Sequence, residues 1–332
     1  MTLKRQSDRT PLLRLLAGVA VFCAVAGATP GFAQIPARFY WKTLSGANAV
    51  PLIYMPMNGN ANPFDPAHAV LAGGRIEAIM APVGYARTLV VFDRAAMAAI
   101  LVPMGRISGE VTVLSSTFNE QASGFGDPLA EFAINVIGKA PIRTLPDLIR
   151  YEPGFSLDLL VDLAFPAGEY DSEEPLNLGQ NRWYGRVGAP IVWQLGPWVP
   201  GKRTTLEFLP SLWLFGSNDD YLGQTLETDP MVQVEGHLTR DLAKGLWASL
   251  DGTWVTGGKA SVDGVEGEEL NNLGLGYTLG YHINDNLQVT FGYMSTVSDS
   301  DPEDLKLDGF RVSAVYGWHP LVEGIKRLEG GE

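Results

Sequence analysis

From Leu273 to Trp318 large apolar residues recur at every second position. Leu273, Leu275, Tyr277, Leu279, Tyr281 and Ile283 alternate with Gly274, Gly276, Thr278, Gly280 and His282. A period of two is the mark of a strand with two unlike faces. Asn284 to Asn286 supplies a tight turn. Leu287, Val289, Phe291 and Tyr293 then repeat the rule, and after a polar gap so do Phe310, Val312, Ala314, Tyr316 and Trp318. These runs are as long as the ~9–11 residues that cross a bilayer at a tilt. Soluble strands average about 5–6. The second face carries Gly, Thr and Ser with isolated charges, which is the pattern of an outer-membrane barrel.

The same rhythm runs backwards along the chain. It predicts strands over 128–137, 155–165, 183–195, 205–215, 231–239 and 246–256. On their inner faces it sets Glu131, Asp158, Asp162, Arg186, Glu207, Glu235, His237 and Asp251, with Arg311 on the last strand. Residues 145–151 read as a helical turn or two. Before residue 105 the alternation is weak. Residues 37–44 read as a first strand that 50–57 could extend or replace, and 75–88 and 95–104 as the second and third. There Ile76, Ala78, Met80 and Pro82 are expected to face out, with Glu77, Tyr85 and Arg87 inward. Residues 105–126 read as a loop. The total is about twelve antiparallel strands in an all-β transmembrane barrel over residues 34–319.

Connection lengths set an orientation. Short turns at 196–202, 240–245 and 284–286 fall on one side and the long loops on the other. Bacterial barrels keep short turns in the periplasm, so both termini are expected there, with 320–332 as a periplasmic tail. Trp193, Trp198, Trp247 and Trp318 then fall near one rim and Trp183, Trp213 and Trp254 near the other. Two such girdles suit indoles at the headgroup level, and Trp183, Trp193, Trp254 and Trp318 are the candidate membrane-interface aromatics.

The N-terminus changes the compartment and the charge. Lys4, Arg5, Arg9 and Arg14 precede an apolar run from Leu15 to Ala28, and Gly31-Phe32-Ala33 has small residues where a signal peptidase wants them. Residues 1–33 are therefore expected to be a cleaved signal peptide, which carries away the sole cysteine, Cys23. Loss of its four basic and one acidic residue leaves 20 basic and 36 acidic residues. Such an acidic chain has no case for nucleic acid, and without a thiol it has neither disulfide nor cysteine nucleophile. The last four long loops hold sixteen acidic residues and two lysines, Lys259 and Lys306. They are either a solvated surface or a place where divalent cations bridge to lipid phosphates.

The stretches GFGDP (124–128) and FPAGEYD (165–171) resemble the outer-membrane family named for the meta-pathway of phenol degradation. So do ARFYWKTLSGANAVP, PMGRISGEV, the run from Asn181 to Gly216 and the run from Asp263 to Val297. The resemblance implies a Gram-negative outer-membrane barrel for passive, porin-like uptake of small organic and aromatic compounds, set among outer-membrane lipids. It implies no defined substrate site. The chain departs from many barrels in ending Gly-Gly-Glu, beyond a last strand that ends near Trp318.

Chemistry beyond transport finds little support. His68, His237, His282 and His319 survive cleavage. Glu235 and His237 share a strand face, a spacing that suits zinc as well as a polar lumen, and neither metal nor cofactor is expected. No G-x-S-x-G is present, so an outer-membrane hydrolase is the least favoured reading. The inner charges admit two readings: a polar path that selects solutes, or a salt-bridged interior in an occluded, structural barrel. The sequence sets no oligomeric state.

Overall fold

The computed structural model describes residues 35–67, 74–113, 116–297 and 305–330. Twelve staves run antiparallel around a closed wall. The first is β1 (Asn48–Gly59). The second is β2 (Gly74–Met80) continued by β3 (Val83–Val91). The third is β4 (Arg94–Val102) with β5 (Met104–Val113), and the fourth β6 (Ser116–Phe125) with β7 (Leu129–Ile137). Then come β8 (Phe155–Ala164), the pair β9 (Tyr184–Gly188) and β10 (Ile191–Gln194), and β11 (Thr204–Phe215). The last five staves are β14 (Met231–Ala243), β15 (Leu246–Gly257), β18 (Leu270–His282), β19 (Leu287–Thr296) and β20 (Leu307–Trp318). Two small hairpins, β12 (Asn218–Tyr221) with β13 (Gln224–Thr228) and β16 (Ala260–Val262) with β17 (Val265–Glu266), join in a separate four-stranded sheet among the loops. β20 pairs with β1 from Asn48↔Trp318 to Gly59↔Leu307, and this seam closes the barrel without a free edge there.

Proline explains why four staves are split. Ala81-Pro82, Pro103, Gly126 to Pro128 and Ala189-Pro190 interrupt the ladders, because proline brings no N–H to the wall. The neighbours close the gaps locally: Ala81 donates to the Met104 carbonyl at 2.7 Å and Gly126 to that of Pro103 at 2.9 Å.

From residue 129 onward the alternation places side chains as the sequence suggests. On β8, Leu159, Val161 and Leu163 are exposed on the outer wall, while Ser156, Asp158, Leu160 and Asp162 are buried inside. Three differences lie in the first part of the chain and a fourth later. Residues 37–44 form no strand; the stretch Ile35–Leu44 is a turn-rich segment buried within the barrel. Residues 105–126 are not a loop but most of the β5–β6 hairpin, paired from Met104↔Phe125 to Val113↔Ser116.

The register of β2 and β3 is the reverse of that expected. Ile76, Ala78, Met80 and Pro82 are buried inside, and Glu77, Tyr85 and Arg87 are exposed outside. The reason is a second apolar core within the lumen. Phe64 and Leu178, from two long loops that fold inward, pack against Ile53, Met55, Met57, Ile76, Ala78, Met80 and Ile107. Apolar no longer means outward where protein, rather than water, fills the interior. The fourth difference is in the tryptophans. Trp213 and Trp247 belong to no outer girdle; both are fully buried on the inner wall. Trp183, Trp193 and Trp254 are exposed, and Trp318 is half-buried.

At the turn-bearing end lies α1 (Leu145–Arg150), capped by Thr144, whose hydroxyl oxygen accepts the Asp147 amide at 3.3 Å. The Thr144 hydroxyl bonded to the Asp147 carboxylate holds that acid below the usual range. α2 (Pro320–Gly330) follows the last strand. Its Val322 is buried with Leu44 and Ile142, with Leu145, Leu148 and Tyr151 packed around them, so tail and helix cover the end where the buried segment enters.

Candidate functional site

A barrel of eight strands has room inside for little more than its own side chains, and one of sixteen leaves an aqueous channel. Twelve strands leave a space that something must fill. Here it is Ile35–Leu44, whose centre, Arg38 to Lys42, is an unbroken run of aromatic and basic side chains in a lumen lined with carboxylates.

The inner wall binds this segment at four levels. Lowest, the Arg38 guanidinium lies between the rings of Trp41 and Trp247, at 4.3 and 4.5 Å. It donates to Asp241 at 2.7 Å and to the Thr239 hydroxyl at 3.2 Å. Arg203 donates to the other Asp241 oxygen at 2.8 Å. Such stacking of cation on indole stabilises by about 0.5–2 kcal/mol. Arg38 itself has a φ of 72°, a left-handed backbone that costs an L-residue roughly 1–2 kcal/mol. The contacts of its side chain and amide offset that cost.

Next, Glu207 accepts the Arg38 amide and the Trp41 indole N–H, both at 2.8 Å, and the Thr205 hydroxyl at 2.6 Å. On another wall, Lys42 pairs with Asp158, which also accepts from Asn135 at 2.8 Å. Deepest, the Ile35 amide donates to Glu235. Glu235 also accepts from Arg186 at 2.9 Å, and Arg186 reaches Asp162 at 2.7 Å while its guanidinium covers Trp213 at 4.9 Å. Glu131 lies opposite Asp162 in the β7–β8 register.

A separate group faces the remaining space. Asp251 is bonded to His237 at 2.7 Å and to Ser249 and Thr278 at 2.6 Å each. Arg311 is bonded to Thr278 at 3.4 Å. The serine touches the aspartate, not the histidine, so no nucleophile–base contact of the serine-hydrolase kind exists there. Glu235 and His237 turn to different partners. Among the described residues no three His, Cys, Asp or Glu side chains converge as metal ligands. His68 and the acidic residues Asp299, Asp301, Glu303 and Asp304 lie outside the described residues.

The structure therefore brings together Glu131, Asp162, Arg186 and Glu235. It ties Asp158 and Glu207 to the segment, sets His237 cross-strand from Glu207, and links it through Asp251 and Thr278 to Arg311. Pattern reading missed Arg38, Trp41, Lys42, Asp241 and Trp247. Three adjacent aromatics between two cations, Arg38-Phe39-Tyr40-Trp41-Lys42, already break the two-residue period; that was the available signal. Cavities of about 40 Å³ beside Arg311 and about 30 Å³ beside the segment remain. At roughly 10–15 Å³ per water, each has room for a few waters.

A family model described as the MetA-pathway of phenol degradation matches residues 62–313. No curated protein sequence matches. Among solved structures, an outer membrane channel from Pseudomonas putida F1 is 17% identical, with a TM-score of 0.69 over 86% of this chain and 99% of its own. At that identity the likeness shows the fold. A FadL homologue of Pseudomonas aeruginosa is 9% identical, with a TM-score of 0.39 over 91% of this chain and 97% of its own, and nothing rests on it.

Proposed function

Because the chain belongs to the MetA-pathway family of phenol degradation, we propose that it is an outer-membrane channel for passive uptake of small organic molecules, aromatic ones included. In this reading the short turns and both termini face the periplasm, and the apolar outer wall faces lipid. One observation carries it. Among the described residues Ile35–Leu44 joins no ladder of the wall and is held by side chains alone, from Glu235 to Thr88. It can leave while the twelve staves stay closed. A vacated lumen keeps Asp158, Glu207, Glu235 and Asp241 on its inner wall, and low-dielectric walls focus that negative field.

The test is current through the purified protein in a planar bilayer, with reversal potential in a salt gradient and growth on limiting aromatic substrate. Cation preference that fades as salt shortens the Debye length below about 10 Å supports the proposal. Loss of that preference on neutralising Asp158, Asp162 and Glu207 supports the lumen residues as its source. Anion preference that ignores these changes would refute their role. The seated segment favours a second reading, a structural barrel with an occluded lumen, which absence of both conductance and growth effect would support.

A further inference from the structure

The Trp41 indole sits in a receptor that belongs to the wall. Its N–H donates to Glu207 at 2.8 Å, its ring lies 4.6 Å from that of Trp198, and the Arg203 guanidinium covers it at 5.1 Å. Glu207 stands on β11, and Trp198 and Arg203 on the turn that precedes it. The barrel fixes two of the three by further bonds. Thr205 donates at 2.6 Å to the same Glu207 oxygen that takes the indole, and Asp241 accepts from Arg203 at 2.8 Å. Glu207 and Arg203 are 5% and 6% exposed. Acceptor, stacking ring and cation all remain with the barrel when the segment leaves. The segment brings the guest, together with Arg38, whose guanidinium lies 4.3 Å from the same ring.

We propose that Glu207, Arg203 and Trp198 form a subsite for an uncharged aromatic solute with an N–H or O–H donor at its edge, and that Trp41 fills this subsite at rest. The proposal rests on the transport reading and names the solute class for it. A carboxylate accepts hydrogen bonds and does not donate them. A ring with an edge donor replaces the indole N–H at Glu207. A ring without one leaves a buried carboxylate short of a partner, a loss that discriminates more strongly than a difference in ring size. Charge decides against anions. With the segment seated, Arg38 and Arg203 balance Asp241 and Glu207. Once Arg38 has gone, two carboxylates face one guanidinium, and an aromatic carboxylate is repelled. The solute takes the place of Trp41, so its binding favours the state in which the segment is released.

The experiment uses the full chain in detergent. Trp41→Ala removes the guest, and binding of indole, indene and benzoate is measured by equilibrium dialysis, with protein-free micelles as background. Indole and indene share a shape and differ in the N–H. The expected result is indole bound at least about tenfold more tightly than indene, with benzoate at background. Indene bound as tightly as indole, or benzoate bound as well as indole, would overturn the proposal. If that variant does not fold, the parent protein decides. A tethered ring competes at roughly millimolar effective concentration. Indole in that range should therefore speed tryptic cleavage after Arg38 or Lys42 at least about tenfold, read by mass spectrometry, while indene leaves it unchanged. Cleavage that indole does not alter, or that indene alters equally, would likewise overturn the proposal. Current through the parent protein separates this subsite from the reading it rests on. Selective binding without conductance supports the subsite and removes the transport reading, and conductance without selective binding does the reverse.

Discussion

The Asp127 carboxylate, in the break within the fourth stave, accepts the backbone amide of Gly168 in the following loop at 2.8 Å. The same group accepts Ala167 at 3.1 Å and Gln180 at 2.8 Å. A Cβ on Gly168 would come 2.6 Å from the Gly126 carbonyl carbon, so the loop lies flat on the wall only with glycine there. GFGDP and FPAGEYD, distant in sequence, are thus one structural unit that folds loop 165–183 inward and seats Leu178 in the lumen. Asp127→Ala leaves three amides without an acceptor, at roughly 1–3 kcal/mol for each that stays buried. The expected outcome is protease cleavage within 165–183 on an otherwise folded barrel, read by mass spectrometry. Unchanged protection would show that the loop is held by its apolar contacts alone.

The two faces of β8 should respond oppositely. Leu159 is 51% exposed and its neighbour Asp158 2%. Leu159→Arg puts a charge against lipid at about 2–4 kcal/mol, and should reduce the folded, heat-modifiable form on gels. Asp158→Asn should leave that form intact and weaken only the hold on Lys42. The reverse result would place the register one residue off.

Arg38→Ala removes the ring-stacked guanidinium and its bond to Asp241. Asp241 keeps Arg203, so the loss is that of a charged hydrogen bond and a stack, roughly 2–4 kcal/mol in the seating of the segment. Single-channel recordings should show more frequent or larger openings than the parent protein, with the same boiled-versus-unboiled mobility. Identical traces would mean that the segment is anchored chiefly by Glu207 and Glu235.

Gly280 faces the Trp247 indole so closely that a Cβ would lie 2.1 Å from its ring. Gly280→Ala must push the indole off the wall. Overpacking of this kind costs about 1–3 kcal/mol, and here it also withdraws one side of the Arg38 stack. Lower thermal stability together with increased conductance is expected. A stability loss alone would separate Trp247 from the hold on the segment.

Legibility in the sequence followed the physics of the interior. From residue 129 onward the inner face is polar and the outer apolar, so the two-residue period places Asp158, Arg186, Glu207 and Asp251 inside. In β1 both faces are apolar, and in β2 the inner face is apolar while Arg75 and Glu77 stand outside, because Phe64 and Leu178 rather than water meet the inner one. A period of two then carries no sign, and the register of Ile76 to Arg87 inverts. Trp213 fails for a related reason: its indole N–H has a lumen partner, Gln233 at 2.6 Å, that a rim position would have supplied from headgroups. Inner carboxylates were legible as charges, but not as the partners of Arg38 and Lys42, since those contacts span 116 to 203 residues.

That reach predicts an order of events in assembly. The segment binds to β8, β11 and β14, yet directly precedes β1, which must meet β20 to complete the wall. Its binding surface does not exist until half the staves have paired. After the Asn48–Trp318 seam forms, entry is restricted to the ends of a cylinder. The expected order is that the ten residues lie against a half-built wall before closure, as a mandrel around which the remaining strands curl. Removing 35–44 should consequently slow refolding into detergent or lipid as well as alter the finished lumen, and time courses of the heat-modifiable band distinguish the two effects.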